Sequence, residues 1–233
     1  MYTRRLKLAC MIVLAALFLI SCLARAHADE VVTLYTTDSD SAESDRLASL
    51  GDFVAWKMGA TRLKEIALYT TEDYEVSAGG SQTKVQGSEV SASIFDVLNI
   101  RPMLGRGFMP KDWSESESAV AILSYELWQT TFHGDAAVIG KIVSVDSKEL
   151  TVVGVMPKAM DVMGLGTILT PFFPRSFAGG GYERVFHVIA SLKPGVTIAD
   201  AQADLDLLDQ KRHRDEPHYL RGLKTRVAYI KHL

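Results

Sequence analysis

The stretch VFHVIASLKPGVTIADAQADLDLLDQ, residues 185–210, has the clearest secondary-structure pattern in the sequence. Its first eight residues are rich in β-branched and aromatic side chains, which predicts a strand over 185–192. A Lys-Pro-Gly turn follows. Thr197 and Asp200 then have the spacing of a helix capping box. The stretch therefore predicts a strand, a tight turn and a capped helix in direct succession.

The helix that starts after Thr197 has one apolar face. Gln202, Asp204 and Gln210 lie on the opposite face, which we expect to meet water. Residues 223–230 (LKTRVAYI) predict a further strand, so this end of the chain is a β-α-β unit. The predicted buried face consists of Ile198, Ala201, Leu205 and Leu208.

A second unit of the same order lies near the N-terminus. Residues 31–37 and 63–70 predict strands, and residues 47–58 between them predict a helix that ends at Gly59. The predicted buried face of this helix consists of Leu47, Leu50, Phe53, Val54 and Met58.

The middle of the chain predicts mostly short strands. Ser124 has the position of a helix N-cap, and residues 112–117 and 158–183 are expected to be an exposed acidic loop and a loop-rich stretch. The other elements predicted here are a hairpin of 74–78 with 83–90, a short helix at 91–98, a strand at 119–123 and a hairpin of 141–146 with 149–156.

The first 28 residues have the layout of an export signal, with a basic start, an uncharged apolar segment and small residues at the end. Three outcomes are open. Cys22 ends a lipobox, the favoured outcome, in which it would be lipidated. Ala28 ends an A-x-A site, with cleavage before Asp29. The segment could also stay uncut as an anchor, at the lower length limit for crossing a bilayer. Each outcome places the rest of the chain in the cell envelope.

Composition excludes several function classes. The leader carries four basic residues and no acidic one, so the remainder has 21 basic against 28 acidic residues and a formal charge of −7. Such an acidic body without a basic stripe argues against nucleic-acid binding. Both cysteines lie in the leader, which leaves no thiolate for catalysis or for metal binding in the body. We expect no catalytic site, cofactor or metal.

Aromatic side chains in two loops are the candidate partner contacts, because exposed aromatic residues can anchor a protein partner. The alternative is that these rings pack on the domain's own core. The candidates are Phe108, Trp113, Phe172, Phe173 and Phe177.

An ordered series of short segments resembles the periplasmic core domain of MacB-type ABC transporter permeases. The resemblance covers residues 46–230 and is closest to the duplicated "orphan" permeases that lack an ATPase. The segments are VSASIFDVLNIRP (90–102), LGRGF (104–108), VAILSYELW (120–128), FHGD (132–135), VIGK (138–141), TVVGVMP (151–157) and LKPGVT (192–197).

The resemblance implies an α+β fold with two subdomains. Porter-like β-α-β units at both ends would occupy residues 29–90 and 184–233, with a mostly-β, sabre-like subdomain inserted at 91–183. In relatives the domain lies between the first two transmembrane helices. The present sequence ends at Leu233, so we expect no transport by this chain alone.

The resemblance also implies a function without catalysis. We expect a module for interaction and conformational coupling, accessory to or derived from an ABC efflux system. Its partners would be a permease or a periplasmic adaptor protein, with membrane attachment through the leader or a lipid. The alternative is a stand-alone periplasmic module that binds a small ligand in the cleft between the subdomains.

Overall fold

The computed structural model describes residues 30–38, 47–78, 81–113, 119–173, 184–215 and 223–230. The fold is mixed α/β, and strands dominate it. The helices are α1 (Leu50–Gly59), α2 (Ile94–Leu98), α3 (Tyr125–Phe132) and α4 (Ile198–Asp215). The strands are β1 (Val31–Asp38), β2 (Ala48–Ser49), β3 (Leu63–Tyr69), β4 (Glu72–Ala78), β5 (Ser81–Val90), β6 (Leu104–Gly105), β7 (Val120–Leu123), β8 (Ile142–Val145), β9 (Lys148–Val155), β10 (Ile168–Pro171), β11 (Arg184–Leu192) and β12 (Leu223–Tyr229).

The two predicted β-α-β units form one four-stranded antiparallel sheet in the order β3-β11-β1-β12. Successive side chains of each strand point to opposite faces of the sheet. Leu68 and Val188 face a cluster that includes Trp56 of α1 and Leu205 of α4. Ile189 of the other face belongs to a second cluster, with α2. The sheet therefore has two helices on one side and α2 on the other.

Helix α1 begins with a capping box, because Asp52 and its N-cap Ser49 each accept a hydrogen bond from the other's backbone N–H. The predicted buried face of this helix is partly wrong. Trp56, which the predicted face leaves out, is only 1% exposed, whereas Val54 and Met58 are 45% and 85% exposed. A helical turn of 100° per residue brings Trp56, three positions after Phe53, onto the buried side.

Helix α4 confirms the predicted capping box, since the Thr197 hydroxyl donates a hydrogen bond to Asp200 and accepts one from its backbone N–H. It also confirms the predicted apolar face, since Ala201 and Leu205 are buried. The expectation that Gln202 and Asp204 only meet water is wrong. Asp204 accepts hydrogen bonds from the backbone N–H and the hydroxyl of Thr61 at 2.6 and 2.7 Å. These bonds join the start of β3 to α4.

The polar side of α4 also covers the edge of the sheet. Gln202 accepts a bond from the N–H of Val227 at 3.0 Å and donates to the carbonyl of Thr225 at 2.9 Å, and Asp209 accepts from the N–H of Thr225 at 2.7 Å. Strand β12 ends the strand order. Free backbone groups on an edge strand would invite pairing with another chain, and these side chains satisfy them.

Six of the remaining strands close on themselves, while the two-residue strands β2 and β6 pair with β11 and β9. β4 pairs with β5, β5 with β10, β10 with β7, β7 with β9, β9 with β8, and β8 with β4. We call these six strands the strand ring. Alternate residues of the ring, such as Val143 and Val145, belong to one hydrophobic cluster to which α3 adds Leu127 and Trp128. Closure removes the edges that an open sheet of these strands would expose.

Two expectations for the middle of the chain are wrong. The stretch predicted to be loop-rich contains a 3-10 helix (Lys158–Met163) and strand β10. β10 runs parallel to β5, and the paired residues are 81 positions apart in the sequence, so no local sequence pattern predicts the pairing. Asp112, the first residue of the predicted acidic loop, is buried at 1% exposure. Residues 114–117 of that loop lie outside the described residues.

The ring and the four-stranded sheet meet where β3 lies beside β5. Tyr69 pairs with Val90, the N–H of Thr70 donates to the carbonyl of Glu89 at 3.0 Å, and the N–H of Ser91 donates to the carbonyl of Leu68 at 2.9 Å. The Ser91 hydroxyl accepts the N–H of Leu68 in return at 3.0 Å. We call this set of bonds the junction. Leu68 and Val90 are fully buried, so the bonds are shielded from water.

Within the described residues, no helix combines the length and the apolar character needed to cross a membrane. The leader, with Cys22 and Ala28, lies outside the described residues, as do residues 79 and 80 between the two strands of the first predicted hairpin. The lipidation and cleavage expectations therefore stay predictions. The subdomain boundaries at 90/91 and 183/184 also stay predictions.

Candidate functional site

The aromatic candidates in the first loop pack together on the domain. The rings of Phe108 and Trp113 lie edge to face at 5.5 Å, and Phe108 lies 5.8 Å from Phe95 of α2. Both candidates are half-buried and contact the cluster around α2. Each therefore presents only part of its surface to a partner.

An ion pair fixes the shape of this loop. Asp112 pairs with Arg106 and accepts the N–H of Met109 at 2.7 Å. Burial by itself would raise the pKa of Asp112. The hydrogen bonds from Arg106 and Met109 outweigh it, so the pKa lies below its usual value. The carboxylate is thus held charged inside the loop.

Two methionines of the same stretch of chain are more exposed than the rings: Met109 directly follows Phe108, and Met103 directly precedes β6. Met103 is 52% and Met109 44% exposed. Sequence reasoning missed both, because it looked for aromatic anchors, although flexible methionine side chains also suit adaptable contact surfaces. We call Met103, Phe108, Met109 and Trp113 the loop surface.

The aromatic candidates in the second loop differ in where their side chains lie. Phe172 is only 6% exposed and packs edge to face on Phe186 of β11 at 5.4 Å, so its ring belongs to the core. Phe173, the next residue, points to a pocket. Phe177 lies outside the described residues. The prediction of partner contact at this loop stays open for Phe173 and Phe177, while Phe172 has almost no surface to offer.

The pocket that Phe173 lines lies at one end of the strand ring and has a volume of about 420 Å³. Its walls come from β4, β5, β8, β9 and β10, and from the turn between β8 and β9. The Tyr74 side chain lines the pocket on one side and belongs to the hydrophobic cluster of the ring on the other, so it separates the two. We call it the ring pocket.

Gly87 makes room for the Tyr74 ring. A Cβ at Gly87 would lie 2.6 Å from Tyr74 Cδ2 and 2.6 Å from Ile168 Cγ2. Any larger side chain would push Tyr74 away from β5. The missing side chain therefore allows the aromatic ring to lie across the strand at the floor of the pocket.

The ring pocket carries more acidic than basic groups. Glu89, Asp146 and Glu149 line it together with one basic residue, Lys148. Burial raises the pKa of Glu89, the charge of Glu72 raises it further, and Lys148 only partly opposes them. Burial also raises the pKa of Tyr74, as do its acidic neighbours, although a hydrogen bond with Thr170 acts against this. A positive charge in the pocket would therefore offset the excess of carboxylates.

The described residues contain no group of three or more His, Cys, Asp or Glu side chains arranged to hold a metal ion. His187, the one histidine predicted within a strand, lies on β11 and stacks on Tyr69 with ring centroids 4.8 Å apart. Burial lowers its pKa. Its position next to the junction is therefore a packing position.

The fold and the pocket together define a strand-dominated α/β domain, in which a closed strand ring continues from an antiparallel sheet backed by two helices. The chain belongs to the family of MacB-like periplasmic core domains, whose family model matches residues 15–208. The match starts inside the predicted leader and ends within α4. It therefore begins and ends earlier than residues 46–230, the range over which the sequence shows the resemblance.

Solved structures support the same fold at low sequence identity. The extracellular domain of the noncanonic ABC-type transporter YknZ from Gram-positive bacteria matches with a TM-score of 0.61 and 16% identity, covering 85% of this chain and 99% of that one. The periplasmic region of MacB from Actinobacillus actinomycetemcomitans matches with a TM-score of 0.65 and 14% identity, covering 88% and 91%.

A domain of a putative permease protein from Porphyromonas gingivalis matches with a TM-score of 0.62 and 15% identity, covering 89% of this chain and 92% of that one. The search of curated proteins found no match. At these identities the structural matches show a shared fold, and the function has to be argued from the chain itself.

Proposed function

We propose that this chain is a non-catalytic domain of the cell envelope that acts as an interaction and conformational-coupling module, accessory to or derived from a MacB-type ABC transporter permease. Membership of the MacB-like periplasmic core domain family carries the proposal. The permease or a periplasmic adaptor is the partner. The leader directs the domain to the envelope; lipidation at Cys22 or an uncut leader tethers it to the membrane, and cleavage after Ala28 releases it into the periplasm.

The junction supports the coupling part of the proposal. A displacement of the ring reaches the sheet through the main-chain bonds around Val90 and Leu68, which are fully buried. The N–H of Phe172 also donates to the carbonyl of Val90 at 2.9 Å, and the Phe172 ring contacts Phe186 of the sheet. Close-packed interiors transmit such shifts because they compress little.

The loop surface supports the interaction part. Met109 exposes apolar area on a loop that the Arg106–Asp112 ion pair holds in one shape. A partner that binds a loop fixed in advance loses less conformational entropy on binding than one that must order it.

Site-specific crosslinking in cells tests the proposal. A photo-reactive residue replaces Met109 in the full chain, and a matched chain carries the same residue at Lys64, an exposed position of β3. We expect the Met109 position to crosslink to a permease or periplasmic adaptor subunit, identified by mass spectrometry, and the Lys64 position not to. Absence of such a subunit from the Met109 products, with crosslinking chemistry verified, would count against the proposal.

A second experiment addresses coupling. Ser91→Ala removes the hydroxyl that accepts the N–H of Leu68 and leaves the main-chain bonds intact. We expect faster amide exchange at Leu68 and its neighbours in β3, with little change inside the ring. If coupling runs through the junction, crosslinking at Met109 should alter amide exchange in the sheet of the unchanged protein, and it should alter it less in Ser91→Ala, because the junction keeps its main-chain bonds and loses one bond.

A further inference from the structure

The ring pocket lies where the apolar filling of the ring ends. Most of that interior is filled by the hydrophobic cluster that includes Val76, Val152 and Ile168. At Tyr74 the filling stops, and about 420 Å³ of space follows. Pockets that hold small molecules have volumes of roughly 300–1,000 Å³.

The lining combines apolar walls with a net negative charge, since three carboxylates face one lysine. Val145, Leu150 and Phe173 supply apolar surface, and Tyr74 supplies an aromatic ring. Among the described residues, no ion pair reaches Glu89, although Lys148 lines the same pocket. A carboxylate in this state gains most from a cation that enters the pocket with it.

The other acidic groups at the rim add to the field but are partly engaged elsewhere. Asp146 accepts the N–H of Glu75 at 2.8 Å. Glu149 is exposed, as is Glu72 on β4. Glu89 is therefore the carboxylate best placed to meet a ligand, since it is half-buried on β5 beside the floor of the pocket.

We propose that the ring pocket binds a small organic cation, an ammonium group on a short apolar or aromatic body, with Glu89 as the counter-ion. The ammonium group lies between the Glu89 carboxylate and the face of the Tyr74 ring, which attracts cations. The apolar body rests against Leu150 and Phe173. An anionic ligand of the same shape meets repulsion, and a neutral one leaves Glu89 without a partner.

Titration with three probes of one shape tests the charge requirement. The full chain is titrated with 2-phenylethylamine, 2-phenylethanol and phenylacetate, and amide chemical shifts are followed by NMR. We expect the amine to bind at least about tenfold more tightly than the alcohol, and phenylacetate not to saturate. The shifting amides should include those of Lys148 and Phe173.

Two substitutions test the site. Glu89→Gln keeps the side-chain shape and removes the charge, so we expect about a tenfold or greater loss of amine affinity and little change for the alcohol. Glu65→Gln is the matched control, because Glu65 is an exposed residue of β3 outside the pocket. Phe173→Ala is the second variant, and it should weaken both the amine and the alcohol.

Three outcomes would overturn the proposal: equal affinity for all three probes, no saturation by the amine, or unchanged amine affinity in Glu89→Gln. If Glu89→Gln fails to fold, Phe173→Ala and the three-probe comparison still decide the matter. The proposal does not rest on the coupling function. Crosslinking from Met109 can succeed or fail whatever the pocket binds.

Discussion

Two arginine–aspartate pairs in this protein have the same geometry and differ in burial, which allows a matched test of what burial contributes. Arg212 donates from Nη2 to Oδ1 of Asp52 at 2.9 Å, and Arg101 donates from Nη2 to Oδ1 of Asp96 at 2.9 Å. The first pair has side chains 14% and 1% exposed, and the second 68% and 56%. We predict a large difference between Arg212→Met and Arg101→Met.

The magnitude follows from what each substitution leaves behind. Arg212→Met leaves Asp52 as a buried carboxylate whose other contacts are the hydroxyl and N–H of Ser49. Removing one partner of a buried pair costs about 3–5 kcal/mol. The Ser49 bonds and the partial exposure of Arg212 reduce this to about 2–3 kcal/mol. Arg101→Met should cost at most about 0.5 kcal/mol, because an exposed pair contributes little.

Urea denaturation of the two variants and of the unchanged protein measures the difference. With a slope of about 2–3 kcal/mol per molar urea, the midpoint should fall by about 1 M for Arg212→Met and stay nearly constant for Arg101→Met. The double variant Asp52→Asn with Arg212→Met should recover at least about 1 kcal/mol, since residue 52 then carries no unpaired charge; Asp209, 3.9 Å from Arg212 Nη1, loses the same neighbour in both variants and keeps its bonds to Thr225. Equal losses in the two single variants would refute the reasoning.

Three further predictions concern the ring, the loop and the sheet edge. Gly87→Ala should cost about 1–3 kcal/mol from the clash with Tyr74, whereas Gly107→Ala, whose Cβ would lie 3.6 Å from the nearest atom, should cost little; thermal melting compares them. The free energy of unfolding of Asp112→Asn should differ from that of the unchanged protein most near pH 7. The difference should shrink as the pH falls below about 4, because a carboxylate with a lowered pKa stabilises the fold above its unfolded-state pKa and stops doing so as it is protonated. Gln202→Ala should cost about 1–2 kcal/mol and speed amide exchange on β12, and unchanged exchange there would show that the edge is covered by other means.

Local signals in the sequence predicted the two β-α-β units well. A capping box acts within four residues, so Thr197 with Asp200 marks the start of α4 wherever the chain lies. Ser124 is the N-cap of α3 for the same reason. The ordered short segments were enough to recognise the family, because order and spacing along the chain are themselves sequence properties.

Side-chain roles that depend on a distant partner were predicted poorly. The sequence predicts that Gln202 and Asp204 face solvent, because the helical pattern places them on the polar side of α4. Their bonding partners, Val227 and Thr61, lie 25 and 143 positions away. Asp112 read as part of an acidic loop, and its burial depends on the turn that brings Arg106 back onto it.

The sequence by itself determined the class of the fold, the capped helices, the acidic body and the family, since each follows from residue type and short spacing. Only the tertiary structure decided that β10 runs beside β5, that the ring closes, and that a pocket forms between Tyr74 and Glu89. Pairing between strands 81 positions apart leaves no periodic trace in either strand. Gly87 pairs with Ile168 and leaves room for this close approach, a fit that exists only in the assembled ring.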